Sequence, residues 1–180
     1  MAKNPPIARP PGPGWIRRIA ESRMSSWSTT REERVMPERD DLVGAWELES
    51  WRISFSDGRE DTFPHGADAQ GQLIYDASGR MAVTVSAAGR SRVSDENIRK
   101  TPVEERSGAF DTFFHYAGRW NLGEGEVYHD VELSMNPNFV GTRQVRGVEW
   151  GEGKFTLVET STTRSGAVMR NQLTWRTSHS

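Results

Sequence analysis

The sequence predicts an all-β protein: a single antiparallel up-and-down barrel of about eight to ten strands, with one short helix covering an end. Three observations carry that expectation. Runs in which apolar and polar residues alternate recur from Leu42 to Arg176, the period of a half-buried strand. Turn signals separate them at hairpin spacing: Asp57-Gly58, Gly123-Glu124-Gly125, Gly151-Glu152-Gly153 and Arg164-Ser165-Gly166. One stretch alone, opening at Thr101-Pro102-Val103-Glu104, changes to the pattern of a helix start. A sheet with this many strands curls and closes, and closure removes its unpaired edges.

The first strand run is Leu42 to Phe55. Its alternation puts Trp46, Leu48 and Ser50 on one face and Glu47 and Glu49 on the other. Thr62-Phe63-Pro64-His65-Gly66 reads as a loop, Gly71 to Tyr75 as a short strand, and Asp76-Ala77-Ser78-Gly79 as the turn into Arg80 to Ser86. The helix is expected from a Thr101 cap to about Phe113 or Phe114, with Val103, Ala109, Phe110 and Phe113 as its apolar residues. Four hairpin turns, one of them at Asn136-Pro137-Asn138, connect His115–Leu122, Val127–Met135, Phe139–Trp150, Lys154–Ser161 and Ala167–Arg176.

Residues 40–178 are read as the barrel domain and residues 1–39 as a disordered extension rich in proline, serine and charge. Pro5-Pro6, Pro10-Pro11 and Pro13 prevent a regular element there. The 180 residues suffice for one domain with a real core. Lys plus Arg number 23 and Asp plus Glu 25, a net charge of -2, which argues against nucleic acid or an anionic membrane as partner. The chain has no cysteine, excluding disulfides, thiol catalysis and cysteine-based zinc sites. No stretch is long and apolar enough for a membrane helix or a signal peptide, so a cytoplasmic location is expected. No nucleophile elbow, phosphate loop or dinucleotide fingerprint occurs, and no cofactor or metal is expected.

Gly44-Ala45-Trp46 resembles the opening motif of lipocalins, and Arg176, in Leu173-Thr174-Trp175-Arg176, is the matching candidate to stack on the Trp46 ring. More widely, Leu42 to Arg176 resembles the bacterial and fungal lipocalin-like domain family. The resemblance lies in Leu42-Val43-Gly44-Ala45-Trp46, Pro64-His65-Gly66, Gly71-Gln72-Leu73-Ile74-Tyr75, Tyr116-Ala117-Gly118-Arg119-Trp120 and Ser134-Met135-Asn136-Pro137-Asn138-Phe139. It implies a barrel that binds a small hydrophobic intermediate, or cyclises one in a natural-product pathway. The chain departs from the family pattern at His65, where an apolar residue is common, and at Asp130, where a second histidine is frequent.

Strand alternation nominates the interior. Val127, His129, Val131, Leu133 and Met135 share one face, expected inward. With them go Tyr75, Tyr116, Trp120, Gln144, Arg146 and Asn171 as candidate ligand-binding residues, a few polar groups in an apolar cavity. The competing reading is a buried network in which these groups satisfy one another and Arg146 pairs with a carboxylate. His129 is the candidate catalytic acid or base, because an ordinary imidazole titrates near working pH. His65 and His115 read as surface residues. Three functions follow: a binding barrel for a small hydrophobic or aromatic molecule; a cyclase, isomerase or dehydratase using His129 with Arg146 or Tyr116; or an interaction protein with a filled barrel. The sequence leaves the ligand, any reaction and the oligomeric state open.

Overall fold

The computed structural model describes residues 36–178. The chain divides into two units, residues 1–33 and 34–180, and every described residue belongs to the second. The expected extension over residues 1–39 therefore falls outside the described residues up to position 35.

Eight antiparallel strands close into a barrel in chain order. They are β1 (Gly44–Phe55), β2 (Gln70–Tyr75), β3 (Arg80–Ser86), β4 (Phe113–Leu122), β5 (Glu126–Ser134), β6 (Arg143–Gly151), β7 (Lys154–Thr162) and β8 (Val168–Thr177). Among the described residues there are two helices, α1 (Arg39–Leu42) and α2 (Val103–Asp111), with a 3-10 turn at Pro137–Phe139. No described helix is long and apolar enough to cross a membrane.

Closure rests on β1, which pairs with β2 through Gly44–Glu47 and with β8 from Trp46 to Phe55. A register shift between Leu48 and Ser50 lets this one strand serve both neighbours. It also changes the inward set. An extra residue reverses the alternation, so Trp51 faces the interior where Ser50 was expected.

A second irregularity corrects β5. Val127, His129 and Val131 point inward as expected, but Leu133 is 67% exposed. The pairing jumps from Gly118↔Val131 to Ala117↔Leu133, so the strand carries one unpaired residue, Glu132, and its side chains swap faces beyond it. Gly118 is what admits this bulge, since a Cβ there would stand 2.0 Å from the Asp130 carbonyl oxygen.

One end is closed by α1 and the first half of β1. Leu42 is fully buried, its carbonyl accepts from Trp46 Nε1 at 2.9 Å, and Trp46 packs edge-on against Phe155 and Trp150. The expected Arg176–Trp46 stack does not form. Glu47 is opposite Arg176 in the ladder, so Arg176 lies on the outer face and pairs with Glu47 at 3.1 Å. The guanidinium that stacks on an indole at this end is Arg39, 4.6 Å above Trp120, which also donates to the Ala77 carbonyl.

The connection from β3 to β4 carries α2 at the opposite end. The helix starts at Val103, with Pro102 rather than Thr101 as its cap residue. Thr101 is buried and donates its hydroxyl to the Asp95 carbonyl instead. The helix ends at Asp111, because Phe113 and Phe114 are already paired to β3. It buries none of its residues, and Val103 and Phe110 stay exposed. Arg90 holds its last turn through the Ala109 carbonyl and the Thr112 hydroxyl.

Candidate functional site

His129 sits near the middle of β5 with no exposed surface. Two phenols bracket it: Tyr75 Oη is 2.6 Å from Nε2, and Tyr116 Oη is 2.7 Å from Nδ1. Tyr75 ends β2 and Tyr116 lies in β4, so three strands around the wall converge on one imidazole. Each does so because its residue lies on the inward set of its strand's alternation.

Burial sets the charge state of the group. Burial desolvates the ring and Arg146 adds repulsion, which together outweigh a smaller upward pull from Asp130, so the His129 pKa falls to about 3. Desolvation pushes Tyr116 up to about 12 and Tyr75 well above its ordinary value. All three groups are therefore neutral at physiological pH. Behind them the interior is lined by stacked aromatic rings. Tyr75 stacks on Trp120 with ring centroids 4.3 Å apart, and Trp120 Nε1 donates to the Asp76 carbonyl.

In front of His129 a pit opens toward the α2 end. Its floor is His129, Tyr116, Leu73, Val83, Leu157 and Trp175, and its mouth is Trp51, Phe114, Leu173, Asn171 and Arg146. A cavity of about 40 Å³ remains inside, and the pit with its open mouth holds about 410 Å³ of space outside any atom. That interior room suits a few water molecules, whereas small-ligand pockets commonly measure roughly 300–1,000 Å³. A larger guest is admitted only if the mouth side chains turn aside. Trp51 and Phe114, half-buried and 5.4 Å apart by ring centroid, are the pair positioned to do so.

The mouth is polar on one side. Asn171 Oδ1 accepts from Trp51 Nε1 at 2.7 Å, and Asn171 Nδ2 reaches Glu159 at 3.5 Å. Arg146, 13% exposed, stands 3.6 Å from Glu159 and donates to Gln144 Oε1 and the Val145 carbonyl. The carboxylate partner weighed for Arg146 in the sequence is thus Glu159. His65 packs edge-on against Trp51 at 5.0 Å, and its pKa is lowered by burial and then by Arg90.

Of the sequence-nominated residues, His129, Tyr116, Arg146 and Asn171 line this pit. Tyr75 stands behind His129, and Trp120 lies a layer further toward the closed end. Gln144 steadies Arg146 and donates to Thr142. Trp51 and Phe114 were not foreseen: the β1 bulge hid the first, and the expected helix end absorbed the second. His115 bonds Thr84 through Nδ1, away from His129. Among the described residues no three His, Cys, Asp or Glu side chains cluster in a way that would hold a metal ion.

The family model of the lipocalin-like domain matches residues 43–178, and the chain belongs to that family. A curated relative from Aspergillus oryzae, the 4'-hydroxy-3'-methoxypropiophenone carrier protein ppsC, is 30% identical over 108 residues. The alignment covers 53% of this chain and 95% of that protein.

Proposed function

We propose that this member of the lipocalin-like family is a small-molecule-binding protein that holds a hydrophobic or aromatic guest non-covalently in its barrel. The observation that carries the reading is the pit, an aromatic and aliphatic chamber with a few convergent polar groups and a mouth flanked by Trp51 and Phe114, whose turning aside would enlarge it. The relative named as a carrier of a phenolic compound supports the same reading and makes a phenol-bearing aromatic the first guest to try.

The enzyme alternative asks His129 to take and return a proton. A base whose conjugate acid has a pKa of about 3 is poorly matched to work near neutrality. Its flanking phenols are equally reluctant to ionise. Binding is therefore the better use of the arrangement.

The test is native mass spectrometry of protein purified without detergent, followed by titration with phenolic aromatics while tryptophan fluorescence is recorded. A co-purified small molecule, or saturable quenching abolished by Leu157→Trp in the pit floor, is the expected result. Protein that carries nothing and quenches with no compound would leave a filled barrel as its description.

A further inference from the structure

Proton counting around His129 gives the pit a chemical preference. A neutral imidazole offers one N–H donor and one bare nitrogen acceptor. Tyr75 is 1% exposed, and its hydroxyl has a single hydrogen-bond partner among the described residues, His129 Nε2. A buried phenol that failed to donate would carry the penalty of an unsatisfied group, so Tyr75 donates to Nε2. Nε2 is then bare and Nδ1 bears the proton. Nδ1–H donates to Tyr116 Oη, which leaves the Tyr116 hydroxyl hydrogen with no acceptor among the described residues.

Tyr116 lines the pit. So does Trp175, which is fully buried and whose Nε1–H is the buried side-chain group without a partner among the described residues. Two donors on pit-lining residues thus lack acceptors, in a chamber whose floor otherwise holds His129, already bonded to both phenols, and Leu73, Val83 and Leu157, whose side chains carry no polar atom. Buried donors are normally satisfied, and two left over at one cavity specify what its occupant must bring.

We infer that the floor of the pit selects a guest carrying a hydrogen-bond-accepting oxygen, a carbonyl above all, seated between the Tyr116 hydroxyl and the Trp175 indole N–H. This rests on the binding reading above. A carbonyl oxygen has two lone pairs and no proton needing an acceptor of its own, so it answers both donors at once. Water can serve them in the resting protein, and an oxygen that repeats its bonds displaces it at little loss. A pure hydrocarbon fills the same space but strands both donors.

The test uses acetophenone and its planar isostere α-methylstyrene, in which a methylene replaces the carbonyl oxygen. Both are titrated by NMR into nitrogen-15-labelled wild type and Tyr116→Phe. Loss of one hydrogen bond should weaken acetophenone about tenfold, while α-methylstyrene, which no longer strands the Tyr116 hydroxyl, should bind as well or more tightly. Comparing each probe across the two proteins cancels their difference in hydration. If both probes shift together, or neither shifts, the inference is overturned and the binding reading stands. If wild type binds neither probe at millimolar concentration, the binding reading fails and takes the inference with it. The same sample tests the proton count without a guest, and serves even if Tyr116→Phe does not fold. His129 should show a protonated Nδ1 and a bare Nε2, and the opposite tautomer would overturn the assignment.

Discussion

Acid should destabilise this barrel through His129. Its folded pKa of about 3 lies well below the ordinary value of 6.5 that the unfolded chain recovers. Between those values the unfolded chain binds a proton that the folded chain excludes. Stability then rises with pH across the window and is lost as pH falls below about 6.5. From about pH 7.5 to about pH 5, the share due to His129 is about 2 kcal/mol, some 1.5 units at about 1.36 kcal/mol each. The assay is urea unfolding at both pH values for wild type and His129→Gln. Glutamine keeps one donor and one acceptor for the two phenols but cannot titrate. Wild type should lose about 2 kcal/mol more than the variant on acidification. His65, also depressed by burial and then by Arg90, titrates in both proteins and cancels from the comparison. Equal losses in the two proteins, with His129 titrating near its ordinary value by NMR, would refute a buried neutral imidazole and every step built on it.

Two further outcomes follow from packing. Trp46→Ala should cost about 3–5 kcal/mol in urea unfolding, since the ring is buried between Leu42, Trp150 and Phe155; a loss below about 1 kcal/mol would mean that the closed end does not depend on it. Gly118→Ala places a Cβ 2.0 Å from the Asp130 carbonyl oxygen and should exceed the roughly 0.5–3 kcal/mol common for point substitutions, whereas Gly151→Ala, with open space around its site, should be nearly silent; similar behaviour of the two would refute the close approach at the β5 bulge.

Alternation and turn chemistry made most of the barrel legible in the sequence. Met81, Val83 and Val85, a strict period-two set, all turned inward, and the Asp57-Gly58 and Gly151-Glu152-Gly153 turns fell where glycine takes positive φ. The same logic put His129, Tyr116, Arg146 and Asn171 on inward faces, because each lies on a strand stretch free of bulges between its turn and its layer. Alternation is a local property, and it survives as long as the ladder keeps its count.

What only the tertiary structure decided lies where the count breaks. An unpaired residue in β1 brought Trp51 to the pit, and one in β5 sent Leu133 out to solvent, because each bulge sets two residues of one strand against one of its partner and so reverses the alternation beyond it. The fate of Arg176 depended on which residue faced it across the closing seam, and that residue was Glu47. The sequence names the polar residues of the interior but not their pairing. Tyr75, Tyr116 and His129 come from three strands, and the contacts that bracket the imidazole between two phenols, like the burial that keeps it neutral, exist only once those strands close on one another.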